Sequence, residues 1–214
     1  MDSVRAPGPV DKAVDILQAL ASRPLDLAGL QTATGLPRAT AHRLAVHLEQ
    51  HHLVRRDDRG RFCLGFGLIA LGRAAEAAFP LADLARPALA ALRDVTGESV
   101  QLFVRDGEAR RCVVSLQSRH ALQWIVPDGA LLPLEVGSAG KILRGEGSGG
   151  VAQSVEEREP GVASVSAAVC DASGSVVAAV SVSGPLERLG RSPARRVGAA
   201  VRAAADEVSR LIPR

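Results

Sequence analysis

The 214-residue chain has room for one large domain or two small ones, each with its own core. Aromatic residues make up 2% of it, with no Tyr and one Trp, which excludes a stacking platform for single-stranded nucleic acid and leaves Ala, Val and Leu to build the interior. A net charge of +3 is too small for a general polyanion binder, and no stretch is apolar enough for a membrane span. Residues 1–9 read as a loose polar tail, followed by no apolar signal-peptide segment. Cys63, Cys112 and Cys170 are odd in number and far apart, fitting neither a disulfide framework nor a CxxC metal site, so buried reduced thiols and a cytoplasmic setting are expected.

Val10–Leu20 carries Ala13, Val14, Leu17 and Leu20 at helical spacing, and Ser22–Pro24 ends that helix. Leu27, Leu30 and Ala33 predict a short second helix. Gly35 follows where the chain must turn sharply, and only glycine enters positive φ without steric cost. Pro37 suits the first turn of a third helix over 37–50, whose apolar stripe is Ala41, Leu44, Ala45 and Leu48. Leu53–Arg56 and Arg61–Leu64 read as two strands around Asp57–Gly60, with Arg59 at the tip. Helix, turn, helix and basic hairpin make a winged helix-turn-helix. The competing reading is an ordinary αα-hairpin followed by a β-hairpin. Charge separates them: residues 36–61 hold six Arg and four His against Glu49, Asp57 and Asp58, a local excess suited to phosphate.

Phe66–Ala78 is apolar on more than one side, so it packs either on its own domain or on another chain, as a dimer reading a two-fold operator requires. After Pro80, Leu81–Val95 predicts a helix ended by Gly97. Ser99–Arg105 and Glu108–Ser115 predict a hairpin around Asp106–Gly107. Leu122–Val126 is expected as a further strand, Pro127–Gly129 as a turn, and Gly137–Leu143 as a small-residue loop opening a helix. Val162–Cys170 and Ser175–Val182 predict a second hairpin around Asp171–Gly174, and Val197–Leu211 a closing amphipathic helix. Helices flanking an antiparallel sheet give an α+β domain.

In Val176–Ser183, Val177, Ala179, Ser181 and Ser183 share one face, and Ser164 and Ser166 share a face of their own strand. Serine pairs on neighbouring strands, beside the backbone N–H groups of Gly137–Gly140, make either a pocket for a small carboxylate or simply an Ala/Ser/Val-rich sheet. Signals for catalysis are few. No GxSxG is present, GSAGK lacks the full Walker spacing, and Glu156–Glu159 reads as a solvated charged run. His47 and His51, four apart, are a metal pair only in the absence of the commoner reading, solvated histidines beside DNA.

Taken together, LxxATGLPRATAHRLAVHLEQHHLVRRDDRGRFCLG, LRDVTGESVQLFVRDG, PDGALLPLEVGSAGKIL, EREPGVASVSAAV and VVAAVSVSGPLERL resemble the IclR family of transcriptional regulators, in the expected order and over nearly everything after residue 10. Their wording is nearest to an actinobacterial subgroup tied to amino-acid metabolism, including leucine biosynthesis. The resemblance implies an α+β architecture: a winged helix-turn-helix over 1–64, a linker and dimerisation helix over 65–79, and a GAF-like effector-binding domain over 80–214. It places DNA contacts on Arg38, Thr40, His42, Arg43 and Arg59, and effector contacts on Leu132, Ser138, Ala139, Ser154, Ser164, Ser181 and Ser183. Some relatives carry an acid at the Ser154 position and a cysteine at Ser164, so the ligand does not transfer. One departure stands out. Gly145–Gly150 replaces further helices that in relatives help to cover the pocket, either as a natural deletion or as an engineered linker, and an open pocket is expected.

The expected protein is a non-enzymatic, cofactor-free, ligand-responsive DNA-binding regulator. Its partners are a double-stranded operator, a small effector (an aliphatic amino acid or a 2-oxo acid) and a second copy of itself, with pairing into tetramers left open. Two other classes compete: a small-molecule-binding module without DNA reading, and a hydrolase using Ser138 or Ser183, which needs a base that the sequence does not offer.

Overall fold

The computed structural model describes residues 8–77 and 80–212, and these fall into two compact units on either side of residues 78–79. Most of the expected tail, residues 1–7, and the end of the expected linker helix, residues 78–79, lie outside the described residues.

The first unit holds α1 (Pro9–Ser22), α2 (Leu27–Thr34), α3 (Arg38–Gln50), β1 (Val54–Arg56), β2 (Phe62–Leu64) and α4 (Gly67–Ala77). Asp26 caps α2: its Oδ1 accepts the Gly29 N–H at 2.7 Å. Gly35 ends α2 at φ +67°, the left-handed conformation that glycine adopts freely. Pro37 stands just before α3 and not inside its first turn. Its ψ of 142° is extended, and its carbonyl accepts the Ala41 N–H at 2.9 Å, as a residue capping a helix does. Ile16, Leu20, Leu30, Ala45, Leu48, Val54 and Phe62 form the core. Leu25 and Phe62 exchange backbone hydrogen bonds of 2.9 and 2.8 Å, adding a third short strand-like rung to the hairpin. At the wing, Asp57 Oδ1 accepts the N–H groups of Arg59 and Arg61, and Gly60 takes positive φ. Phe66 precedes α4 and is exposed, with the Arg55 guanidinium 4.8 Å from its ring. No described side chain of α4 is buried, and Ile69 and Leu71 are exposed.

The second unit runs α5 (Leu81–Thr96), β3 (Ser99–Asp106), β4 (Ala109–Leu116), β5 (Leu131–Pro133), α6 (Ser138–Leu143), β6 (Val151–Val155), β7 (Val162–Cys170), β8 (Val176–Pro185), α7 (Leu186–Leu189) and α8 (Pro193–Leu211). Its antiparallel sheet has the order β5-β4-β3-β8-β7-β6. The period-two alternation sorts the side chains cleanly. Val100, Leu102, Val165, Val180 and Val182 meet α5 and α8 in one core. The opposite face carries Ser99, Gln101, Phe103, Ser164, Ser166, Ala179, Ser181 and Ser183, and α6 packs over it. Phe103, Cys112, Val126, Ala139 and Ile142 form a smaller second core there.

Three local expectations change. Leu122–Val126 is irregular, and the strand is Leu131–Pro133, which pairs with β4. Leu122 and Ile125 are exposed while Val126 is buried, because the segment crosses the polar face of the sheet and does not extend its edge. The β3–β4 turn is Gly107–Glu108, between the paired Asp106 and Ala109, with Gly107 at φ +61° in the first loop position as a type II′ turn requires. The strand β6 and the short α7 were not foreseen. Seven residues, Arg144 and Gly145–Gly150, connect α6 to β6, and Gly145, Gly147, Gly149 and Gly150 all take positive φ.

Candidate functional site

Two rows of paired residues make a polar floor across the sheet. One is Ser154↔Ser164↔Ser183↔Ser99; the next is Ala152↔Ser166↔Ser181↔Gln101. From α6, the Ser138 hydroxyl lies 2.7 Å from Ser164 Oγ and 2.8 Å from Ser166 Oγ, tying helix to floor. The Ser183 hydroxyl donates to Gln101 Oε1 at 2.9 Å. Leu132, Ala139, Phe103, Trp124 and Val126 add apolar walls. The result is a cavity bordered by Leu132, Ser138, Ala139, Ser154, Ser164, Ser181 and Ser183, the residues expected to face an effector. It leaves about 40 Å³ for the centres of water-sized molecules, room for about three waters. It is thus small and partly open to solvent, with Trp124 and Val126 of the 117–130 segment and Ser138 and Ala139 of α6 along its wall.

Four polar residues of the cavity wall are absent from the expected set: Gln101, Arg110, Arg158 and the exposed Glu159. Gln101 is 1% exposed, and its Nε2 has no hydrogen-bond acceptor. The alternation of SVQLFV, carried back from Ser99, is the signal that places it on the serine face. Arg110 is 3% exposed. Its Nη1 donates to the carbonyls of Pro133 and Val136, its guanidinium sits 5.4 Å from the Phe103 ring, and its Nε is buried without a partner. Among the described residues no carboxylate lies within 4 Å of it. Burial first, then the like charges of Arg158 and Arg144, push its pKa down to about 10, with Glu135 opposing. Strand alternation turns the next residue, Arg111, to the other face, where its guanidinium pairs with Asp106. Arg158 is half-buried, 4.9 Å from the Trp124 ring, and burial lowers its pKa too. The run Glu156–Glu159 is therefore not simply a solvated face.

The start of α6 is not a free anion seat. Glu157 Oε2 accepts the Gly137 N–H at 3.2 Å, and Glu157 also pairs with Lys141, the lysine of GSAGK. Ser138 and Ser183 find only serine and glutamine side chains as partners, so neither has a base in reach.

In the first unit, Arg38, His42 and Arg43 are exposed near the start of α3, Thr40 is half-buried, and Arg59 is exposed at the wing tip. Other arginines are engaged within the fold. Arg56 pairs with Glu49 at 3.4 Å and Arg61 with Asp57 at 2.7 Å. Among the described residues no carboxylate lies within 4 Å of the guanidinium of Arg38, Arg43 or Arg59, which leaves their charge available to an anion. His47 and His51 belong to no group of three or more metal-ligating side chains among the described residues.

A helix-turn-helix unit followed by an α+β unit with a small polar cavity defines a chain in which a candidate DNA reader precedes a candidate small-molecule receptor. Two family models match it: the IclR helix-turn-helix domain over residues 9–58, and the bacterial transcriptional regulator IclR C-terminal domain over residues 147–210. Together they cover more than half of its length, and the chain belongs to the IclR family. The transcriptional regulator KipR of Bacillus subtilis is 26% identical over 63% of this chain and 54% of its own length, so this match spans little more than half of that relative. BhcR of Paracoccus denitrificans, also described as a transcriptional regulator, is 25% identical over 94% of this chain and 85% of its own. That alignment runs to 238 positions, so BhcR carries residues with no counterpart here. Among solved structures, an IclR homologue from Microbacterium hydrocarbonoxydans complexed with 4-hydroxybenzoate shares the fold, with a TM-score of 0.80, 18% identity and coverage of 95% of this chain and 98% of that one. The relatives named here are regulators, not enzymes. No helix of the described residues is long and apolar enough to cross a membrane.

Proposed function

We propose that the chain is a transcriptional regulator of the IclR type, which binds an operator through α3 and the wing and responds to a small metabolite in the cavity of its second unit. One observation carries the reading: three arginines without carboxylate partners, Arg38, Arg43 and Arg59, stand at the start of α3 and at the wing tip, in a chain whose other unit holds a polar cavity. The start of the second helix of this motif enters the major groove, so Arg38, Thr40, His42 and Arg43 contact bases and phosphates there, and Arg59 contacts the neighbouring backbone. The α4 helix has exposed apolar positions and no buried one, which suits pairing with a second copy, and a two-fold protein matches a two-fold operator. Leu132, Ser138, Ala139, Ser154, Ser164, Ser181 and Ser183 line the effector site. The bound 4-hydroxybenzoate of the Microbacterium homologue supports carboxylate binding by this fold. The motif wording extends the proposal to an NdgR-like role in amino-acid metabolism in the cytoplasm.

The test is a fluorescence-anisotropy titration against DNA from the gene's own upstream region and against a scrambled duplex, at two salt concentrations. Tight binding to the native duplex alone supports the reading. Equal weak binding to both duplexes, lost with added salt, removes specific DNA reading from the proposal and leaves a ligand-binding module.

A further inference from the structure

The end of α3 and the start of α4 meet backbone against backbone. α3 closes in a Schellman turn: the His52 N–H donates to the Glu49 carbonyl at 3.0 Å, and the Leu53 N–H to the Leu48 carbonyl at 2.9 Å. The left-handed place in that turn usually falls to glycine, but here it holds His52, at φ +59° with an exposed side chain. The His52 carbonyl accepts the Gly67 N–H at 3.0 Å, and the Leu53 carbonyl accepts the Gly65 N–H at 2.9 Å. Gly65 follows the last residue of β2, and Gly67 opens α4. Neither leaves room for a side chain. A Cβ on Gly65 would overlap the His52 carbonyl oxygen and lie 2.8 Å from its carbon, and a Cβ on Gly67 would lie 2.9 Å from the same oxygen. Between them Phe66 is held to β1 by the Arg55 guanidinium. Side chains at a contact can adjust by changing rotamer. Two hydrogen bonds and two close approaches of main chain fix both a distance and a direction.

We propose that His52, Gly65 and Gly67 form a rigid joint that sets the direction of α4 against α3, and through it the spacing of the two half-sites that a paired protein reads. The inference rests on the pairing through α4 and the two-fold operator proposed above. In such a pair the two reading helices stand about one turn of DNA apart. The 11 residues of α4 make a lever about 16 Å long. A swing of about 12° at its root moves its far end by about 3.4 Å, one base-pair step. The joint thus has leverage enough to change the preferred spacing by one base pair. His52 acts here through its backbone conformation, as a positioning residue, and touches no base.

The test uses the full chain and the shortest fragment of the gene's own upstream DNA that keeps tight binding, with one, two or five base pairs inserted at its centre, read by fluorescence anisotropy. Five base pairs turn the half-sites to opposite sides of the duplex, and the wild type is expected to lose about 100-fold. One base pair is expected to cost it about tenfold. Gly67→Ala, which pushes α4 off the His52 carbonyl, is expected to shift the preferred spacing by about one base pair or to level the native and one-base-pair duplexes to within about threefold. His52→Val, whose branched side chain disfavours positive φ, is expected to do the same, and His52→Gly, which keeps the turn, to retain the wild-type preference. Because His52 is exposed, this pair decides the matter even if Gly67→Ala does not fold. If both His52→Val and Gly67→Ala lower affinity for every duplex by one common factor, the joint is overturned and the paired reader stands. A wild type indifferent to five inserted base pairs, or one with no tightly bound fragment, overturns the two-fold reading and the joint with it.

Discussion

Replacing either of two buried glycines of the second unit by alanine adds the same methyl group, with opposite expected consequences. In α6, a Cβ on Gly140 would lie 2.2 Å from the Leu134 carbonyl oxygen and 2.9 Å from Arg110 Nη1. An ordinary carbon–oxygen contact is about 3.3 Å, so the 133–137 loop must retreat by about 1 Å. That loop supplies the Pro133 and Val136 carbonyls that hold Arg110. Overpacking costs about 1–3 kcal/mol and loosened hydrogen bonds to a buried cation about 1–3 kcal/mol, against about 1 kcal/mol returned by alanine's helix propensity. Gly140→Ala should therefore destabilise by about 1–5 kcal/mol, a fall in Tm of about 4–20 °C for a unit of this size. In α8, a Cβ on Gly198 would lie 3.6 Å from Ala194 Cβ and 3.9 Å from Val151 Cγ1, ordinary contact distances. Gly198→Ala should gain about 1 kcal/mol from helix propensity. Trp124, the one tryptophan, lies in this unit, so urea denaturation followed by its fluorescence reads the unit directly. Equal shifts of the same sign, or a Gly140→Ala variant as stable as wild type, would refute the steric reasoning.

Other outcomes follow from the same geometry. Asp26→Ala removes the cap of α2 and should cost the first unit about 1 kcal/mol, measured by thermal denaturation followed by circular dichroism. Burial, then the charge of Asp128, raise the Cys112 thiol to about 12 against the Val114 backbone hydrogen bond, so iodoacetamide at pH 8 should leave Cys112 unmodified in the native chain, as peptide mass spectrometry will report. Arg110, held near 10, loses its proton below the ordinary arginine range, and a bound carboxylate raises that value again. The affinity of a carboxylate ligand paired with Arg110 should therefore be level up to about pH 9 and fall through pH 10, with proton uptake on binding there; calorimetry in two buffers checks the sign. Arg43→Ala should reduce the slope of log affinity for DNA against log salt by about one, and an unchanged slope would place Arg43 away from phosphate.

The first unit is the more legible in the sequence because its signals are local. Gly35, the Ala41–Leu48 stripe and the Asp57–Gly60 turn are set by neighbours within a few residues. The serine face is legible for a similar reason: alternation in β8 needs no knowledge of the partner strands. Arg110 and Arg111 show where that ends. Alternation in β4 sets them on opposite faces of the sheet, but the register shift opposite Leu102 and Phe103 hides which face meets the cavity, and the 133–137 loop then buries Arg110 while Arg111 pairs at the surface with Asp106. Leu122–Val126 fails for the converse reason. Its composition suits a strand, but its place over the cavity, with the Leu122 carbonyl accepting from Arg188 at 2.9 Å, is decided by distant residues. Arg188 in turn makes a two-pronged ion pair with buried Glu98 at 2.6 and 2.8 Å, across 90 residues of chain.

The central pairing of the sheet joins β3 to β8, with Ser99 opposite Ser183 and Gln101 opposite Ser181. On a ribosome, β3 and β4 emerge as a hairpin with one lateral side open until the last strand has been made. Closing that side brings together segments some eighty residues apart, the slowest kind of contact to form. The cavity floor is consequently among the last features a new chain acquires. A nascent chain can complete its helix-turn-helix long before its cavity floor closes, and a truncation before residue 176 would leave an exposed strand edge, which invites aggregation, in place of that floor.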